Sequence, residues 1–144
     1  MNILLSIKPK YAESIISGKK RYEFRKVIFK RNYIDTAYIY CTSPVKRIIG
    51  AFRVGAVIED RPDRLWKQLN EFSGLDETEF FDYFKNAEKG FAIEIKNMVK
   101  FEDPLDPAKL IPGFVPPQSF YYVSFSFSPE GFQDNSKNKT LDNY

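Results

Sequence analysis

The sequence predicts one α+β domain, and three observations carry that reading. The chain has 144 residues, an ordinary size for one domain and long enough to bury a core. Apolar residues alternate at period two over several stretches, most clearly at Phe91, Ile93, Ile95, Val99 and Phe101, with Asn97 the exception. Between such stretches lie short segments with apolar residues at helical spacing, each opened by a proline or a capping pattern.

Taken in order, Ile3, Leu4, Leu5 and Ile7 make a short strand that stops at Lys8. Pro9 suits a first helical position, where its fixed φ fits and its missing N–H would go unpaired anyway. Tyr11, Ala12, Ile15 and Ile16 form one apolar stripe on the helix that follows. Gly18 stands where a helix ends in a left-handed residue. The next strand turns Tyr22 and Phe24 one way and Arg21, Glu23 and Arg25 the other, beside a turn holding Lys19 and Lys20. A basic loop, Phe29 to Tyr33, precedes the β-prone run Thr36 to Cys41. Thr42-Ser43-Pro44 breaks that run, and Lys46 to Ile58 follows as a long strand. Gly50 and Gly55 inside it predict bulges, which a small barrel needs to turn its corners.

Pro62 and Asp63 open a helix with Leu65, Trp66 and Leu69 on one face, ending near Gly74. Asp76 with Glu79 is a capping-box start for a helix carrying Phe80, Phe81 and Phe84. Both read as lids packed on a barrel face. Residues 103–117 hold five prolines and form a loop, with a single helical turn at Pro107–Leu110. A last strand alternates Tyr121, Val123, Phe125 and Phe127 with Tyr122, Ser124 and Ser126. Residues 128–144 are polar and read as a mobile tail, leaving 1–127 as the domain.

Composition narrows the function classes. No apolar run approaches the roughly 20 residues of a membrane span, and the start of the chain lacks the pattern of a secretory leader. One cysteine, Cys41, forbids an internal disulfide and fits a reducing, cytoplasmic setting. Histidine is absent, which removes the commonest general base, His-containing zinc sites and every Ser-His or Cys-His triad. No metal site or cofactor is expected. The net charge is only +3, yet residues 1–50 carry 11 Lys/Arg against three carboxylates while the other 94 residues carry 11 against 16. An anionic partner docking on the first half accounts for that asymmetry; solvated loop charge is the alternative.

Lys8-Pro9 followed by Gly18-x-Lys20-x-x-Glu23-x-Arg25 resembles the signature of the ASCH domains, a branch of the PUA-like superfamily. The strand–helix–charged strand order is also similar, and the likeness runs over most of residues 1–127. The resemblance implies a small mixed β-barrel with flanking helices and a cleft beside the motif. It also implies a partner that is RNA or a modified nucleoside or nucleotide, since members bind these and some are similar to small amidohydrolases or ribonucleases.

Candidate site residues follow. Glu23, a carboxylate among cations, suits the edge of a base or an exocyclic amine, and Arg25 stands beside it. Lys8 and Lys20 suit phosphates. Tyr40, Thr42, Ser43 and Lys46 cluster at a strand end and turn where PUA-like folds place cleft residues. Gln118 and Ser119 offer an amide and a hydroxyl to a base. The expected function is RNA or nucleotide binding in a basic cleft. A metal-independent hydrolase is the alternative, cleaving RNA with Lys46, Tyr40 and a serine, or an acylated nucleoside with Lys20. In the amidohydrolase-like relatives a threonine stands where this chain has Glu23, so that hydroxyl is missing here. A lysine base needs its ammonium destabilised by burial or neighbouring cations; because Glu23 opposes this at Lys20, Lys46 is the better candidate. A regulatory protein-interaction domain is the third class. Oligomeric state is not legible.

Overall fold

A computed structural model describes residues 1–31 and 33–125. Six strands form one curled sheet: β1 (Asn2–Ile7), β2 (Tyr22–Arg25), β3 (Thr36–Cys41), β4 (Arg47–Asp60), β5 (Gly90–Leu105) and β6 (Phe120–Val123). Their spatial order is β2-β5-β4-β3-β1-β6. Only β1 and β3 run parallel, joined by a crossover that carries α1 (Pro9–Ile16) and β2. The other ladders are antiparallel. The result is a half-barrel, its open side lying between β2 and the β1–β6 edge.

The central parallel pair is buried on both faces, as expected for such strands. On one side Ile3, Leu5, Ile7, Ala37, Ile39 and Cys41 pack with Phe52, Ile93 and the α1 residues Ala12 and Ile15. On the other, Leu4, Tyr38, Tyr40, Ile48, Phe101 and Val123 meet Leu110, Ile111 and Phe114 from the proline loop. A third cluster covers the far end of the sheet. There Phe24 and Ala92 receive Leu65 and Leu69 of α2 (Pro62–Leu69) and Phe80 and Phe84 around α3 (Glu77–Tyr83). Phe24 sits edge-on to Phe80 at 5.1 Å, a favoured aromatic geometry.

Local signals explain the element ends. Gly18 follows the helix with φ +86°, the left-handed conformation expected of it. Asp76 and Glu79 form both halves of the capping box of α3. Register shifts fall at Ile48/Gly50, Ala51/Arg53 and Val54/Val57, so both glycines of the long strand lie at bulges. β5 runs on to Leu105, which pairs with Ile48 and takes up the first residues of the expected proline loop. The single helical turn expected after it is a 3₁₀ turn at Pro107–Lys109. β6 ends at Val123, earlier than its sequence alternation, because its partner β1 runs out: Val123 pairs with Asn2. Asn2 Nδ2 then donates to Phe125 O at 3.0 Å. The expectations for Ser126, Phe127 and the 128–144 tail fall outside the described residues. No helix among the described residues is long and apolar enough to cross a membrane.

Candidate nucleic-acid cleft

The motif strand β2 presents its charged face to the open side of the half-barrel. Arg25 Nη2 lies 2.7 Å from Glu23 Oε2, and Nε donates to the same oxygen at 2.9 Å. Glu23 Oε1 faces Lys20 Nζ at 3.6 Å. These three side chains are nearly enclosed, with Lys20 only 3% exposed. Burying charge is costly unless it is paired and hydrogen-bonded, and here two cations share one carboxylate. The cluster therefore carries one excess positive charge.

Arg21 departs from the sequence expectation. Strand alternation placed it with Glu23 and Arg25, but its guanidinium lies 5.8 Å over the Phe72 ring and its backbone N–H donates to Phe72 O. Arg21 precedes the first paired residue of β2, so the alternation does not bind it. Lys20, in the turn, takes its place as the second cation.

The turn between α2 and α3 builds the seat for Lys20. Nζ donates to Ser73 O at 2.8 Å. Ser73 is fully buried, its hydroxyl donating to Asn70 O and accepting from Leu75 N. Gly74, at φ +68°, lets the backbone approach; a Cβ there would lie 2.7 Å from Cβ of Lys20. The ammonium also stands 5.0 Å over Phe24 and 5.8 Å over Tyr11. Burial pushes its pKa below the ordinary value against the opposing pull of Glu23. Lys20 is thus the lysine whose charge the fold destabilises, where the sequence favoured Lys46, an exposed residue.

A cleft of about 730 Å³ opens over this floor. It brings together Lys8, Lys20, Glu23, Arg25, Gln118 and Ser119 from the sequence candidates. Tyr40, Thr42, Ser43 and Lys46 do not line it. Tyr40 is 3% exposed and packs against Phe114 at 5.2 Å within the core, because it shares the buried face of β3 with Tyr38. Thr42, Ser43 and Lys46 belong to the β3–β4 turn, tied by Thr42 N–H to Ile7 O.

Sequence reasoning missed Lys26, Glu79, Asp82 and Tyr83, which also line the cleft. Lys26 adjoins the motif and was within reach of it. The other three sit on α3, some 55 residues away in sequence from β2, and only tertiary packing brings them there. Glu79 accepts from Lys10 Nζ at 2.7 Å and Tyr11 OH at 2.9 Å, and these bonds hold its carboxyl down at about 2. The cleft lining thus mixes the cations Lys8 and Lys26 with the α3 carboxylates Glu79 and Asp82, and the Lys26 ammonium lies 4.8 Å over the Tyr83 ring of α3. Among the described residues no group of three or more His, Cys, Asp and Glu is placed to hold a metal ion.

Comparison with known proteins places this geometry. Residues 5–105 match the family model described as "ASCH domain". The chain is 31% identical over 126 residues to an "ASCH domain-containing ribonuclease" of Zymomonas mobilis, covering 83% of this chain and 82% of that protein. The crystal structure of ASCH from the same organism superposes with a TM-score of 0.79 at 30% identity, over 85% of this chain and 87% of that one. A tyrosine-to-phenylalanine variant of that protein superposes equally well, at 29% identity over 85% of this chain and 89% of that one.

Proposed function

This chain belongs to the ASCH domain family, and from that premise we propose that it binds RNA, or a nucleotide, in the cleft over β2. One observation carries the reading: the nearly enclosed Lys20–Glu23–Arg25 cluster, with its excess positive charge, forms the floor of that cleft. Lys8 and Lys26 add cations to its lining, and the Glu79 carboxylate is already paired with Lys10. Phosphate is drawn to these cations. Gln118, Ser119 and Tyr83 are then the groups that meet sugar and base.

RNA cleavage is the second reading, favoured by the burial that lowers Lys20's pKa and by the name of the Zymomonas relative. Lys20 lies on the cleft floor with its charged form disfavoured by burial, whereas Lys46 is exposed and does not line the cleft. Acyl hydrolysis lacks its hydroxyl, since Glu23 occupies that position.

Titration of a labelled single-stranded RNA at low and moderate salt tests binding. Affinity should fall as salt rises, with a log–log slope of about −0.7 for each phosphate neutralised, and Lys8→Ala should weaken it. Absence of binding at low salt, or indifference to salt, overturns the proposal. Incubation with unstructured RNA in the presence of a chelator, for the native chain, Lys20→Ala and Lys46→Ala, separates binder from nuclease. Turnover lost in Lys20→Ala alone supports Lys20 as the base.

A further inference from the structure

The connection between β2 and β3 carries three cations, Lys26, Lys30 and Arg31, and no carboxylate before Asp35. Its backbone is anchored at Lys26, Lys30 and Arg31. The Lys26 N–H donates to Tyr83 Oη at 3.2 Å, and the Lys30 and Arg31 N–H groups donate to Tyr122 Oη at 2.9 and 3.4 Å. Phe29 packs edge-on to Phe120, and Ile28 and Phe29 both face the core. With Ile28 and Phe29 turned in, the outward side shows Lys26, Val27, Lys30, Arg31 and Tyr33. Tyr33 is 80% exposed. Lys26 and Val27 also line the cleft, so the two surfaces are continuous.

We propose that this connection is a second nucleic-acid contact, carrying a single strand out of the cleft across Lys30, Arg31 and Tyr33, so that the ligand is a strand of several nucleotides and not one nucleoside. The inference rests on the cleft being the RNA site. Lys26 and Arg31 lie over the Tyr83 and Tyr122 rings, but neither the Lys30 ammonium nor the Tyr33 ring has a partner among the described residues, and both are open to a ligand. Arg31 is exposed, and its guanidinium lies 4.6 Å over the Tyr122 ring beside the path. Cations that track a backbone, with an aromatic on which a base stacks, are what sequence-tolerant single-strand binding needs.

The test compares a trinucleotide and a decanucleotide of single-stranded RNA on the native chain and on Lys30→Ala/Arg31→Ala. The native chain should prefer the decanucleotide. The double variant should lose that preference, flatten the decanucleotide salt slope by about 1.4 for two phosphate contacts, and keep the trinucleotide affinity. Because Arg31 also covers Tyr122, the single variants Lys30→Ala and Tyr33→Ala repeat the comparison at melting temperatures matching the native chain. Equal native affinity for both lengths, or an unchanged slope in the variants, overturns the second contact and leaves the cleft reading standing. Native binding to neither RNA overturns both.

Discussion

Glu23 holds two cations with one carboxylate, and most of what the motif does for the molecule passes through that residue. Its Oε2 faces both Nε and Nη2 of Arg25, a charge-assisted contact made on one oxygen, while Oε1 faces Lys20. All three groups are withdrawn from water, so removing the carboxylate leaves two buried cations facing each other. Breaking a buried pair in that way costs about 3–5 kcal/mol. Glu23→Gln is therefore expected to lower unfolding stability by about 3 kcal/mol in a urea titration. A variant as stable as the native chain but deficient in RNA binding would assign Glu23 to the ligand alone. Sequence alternation foresaw the pairing with Arg25. It could not foresee Lys20, whose burial depends on Ser73 and Gly74.

At the scale of elements, α3 is the piece that turns a curved sheet into a cleft. Its capping box was legible because the four-residue spacing is local. Glu79 does more than cap: the same carboxylate ties α3 to Lys10 and Tyr11 of α1, closing the cleft at that end. The Lys10 hydrogen bond is the largest cause of its low pKa, followed by the backbone N–H of Asp76 and the Tyr11 hydroxyl. Since the folded value of about 2 lies below the ordinary 4.5, the stabilisation is present above pH 4.5 and is lost as pH falls through about 2. Glu79→Gln should thus be less stable than the native chain at neutral pH, with the gap closing as the pH drops towards 2. Urea titrations of both proteins across that range check it. A gap independent of pH would mean the ionised carboxylate is not what joins the helices.

The whole molecule is a sheet whose two edges do not meet as a ladder, and Arg25 spans the gap. From β2 its Nη2 donates to Ser6 O at 2.9 Å, and its Nη1 to Ser119 Oγ at 3.2 Å. Ser6 lies on β1 and Ser119 just before β6, so one side chain links one edge strand to the opposite side of the half-barrel. A lysine has the charge but not the planar fork that reaches these acceptors and Glu23 together. Arg25→Lys is expected to cost about 2–4 kcal/mol, with amide exchange accelerated most in Phe120–Val123 and Tyr22–Arg25. Unchanged protection in those two strands would show that the loops alone hold the edges together. The same placement puts Arg25 on the cleft floor, where its hydrogen bonds are already engaged by protein.

What the sequence by itself determined is the kind and order of elements and the charge of the first half. Alternation, capping, the helix-ending glycine and the bulge glycines act between near neighbours; the capping box, Gly18 and both bulge positions read true in the structure, while alternation failed for Arg21, which precedes the paired residues of β2. The motif strand, the basic connection after it and the absence of histidine were likewise plain. Only the tertiary structure decided which charges are surface and which are interior. Lys20, read from the sequence as a phosphate contact in the turn, is buried, while Lys46, read as the better candidate base, is exposed. Tyr40 looked like a strand-end ligand contact and faces Phe114. Ser73 carries no signal in a linear reading, and the helix end near Gly74 and the capping box at Glu79 say nothing of their contacts with Lys20 and with α1, which are made across some 50 to 70 residues of chain. Burial is a property of what packs on top of a residue, and the covering helices are specified far along the chain from what they cover.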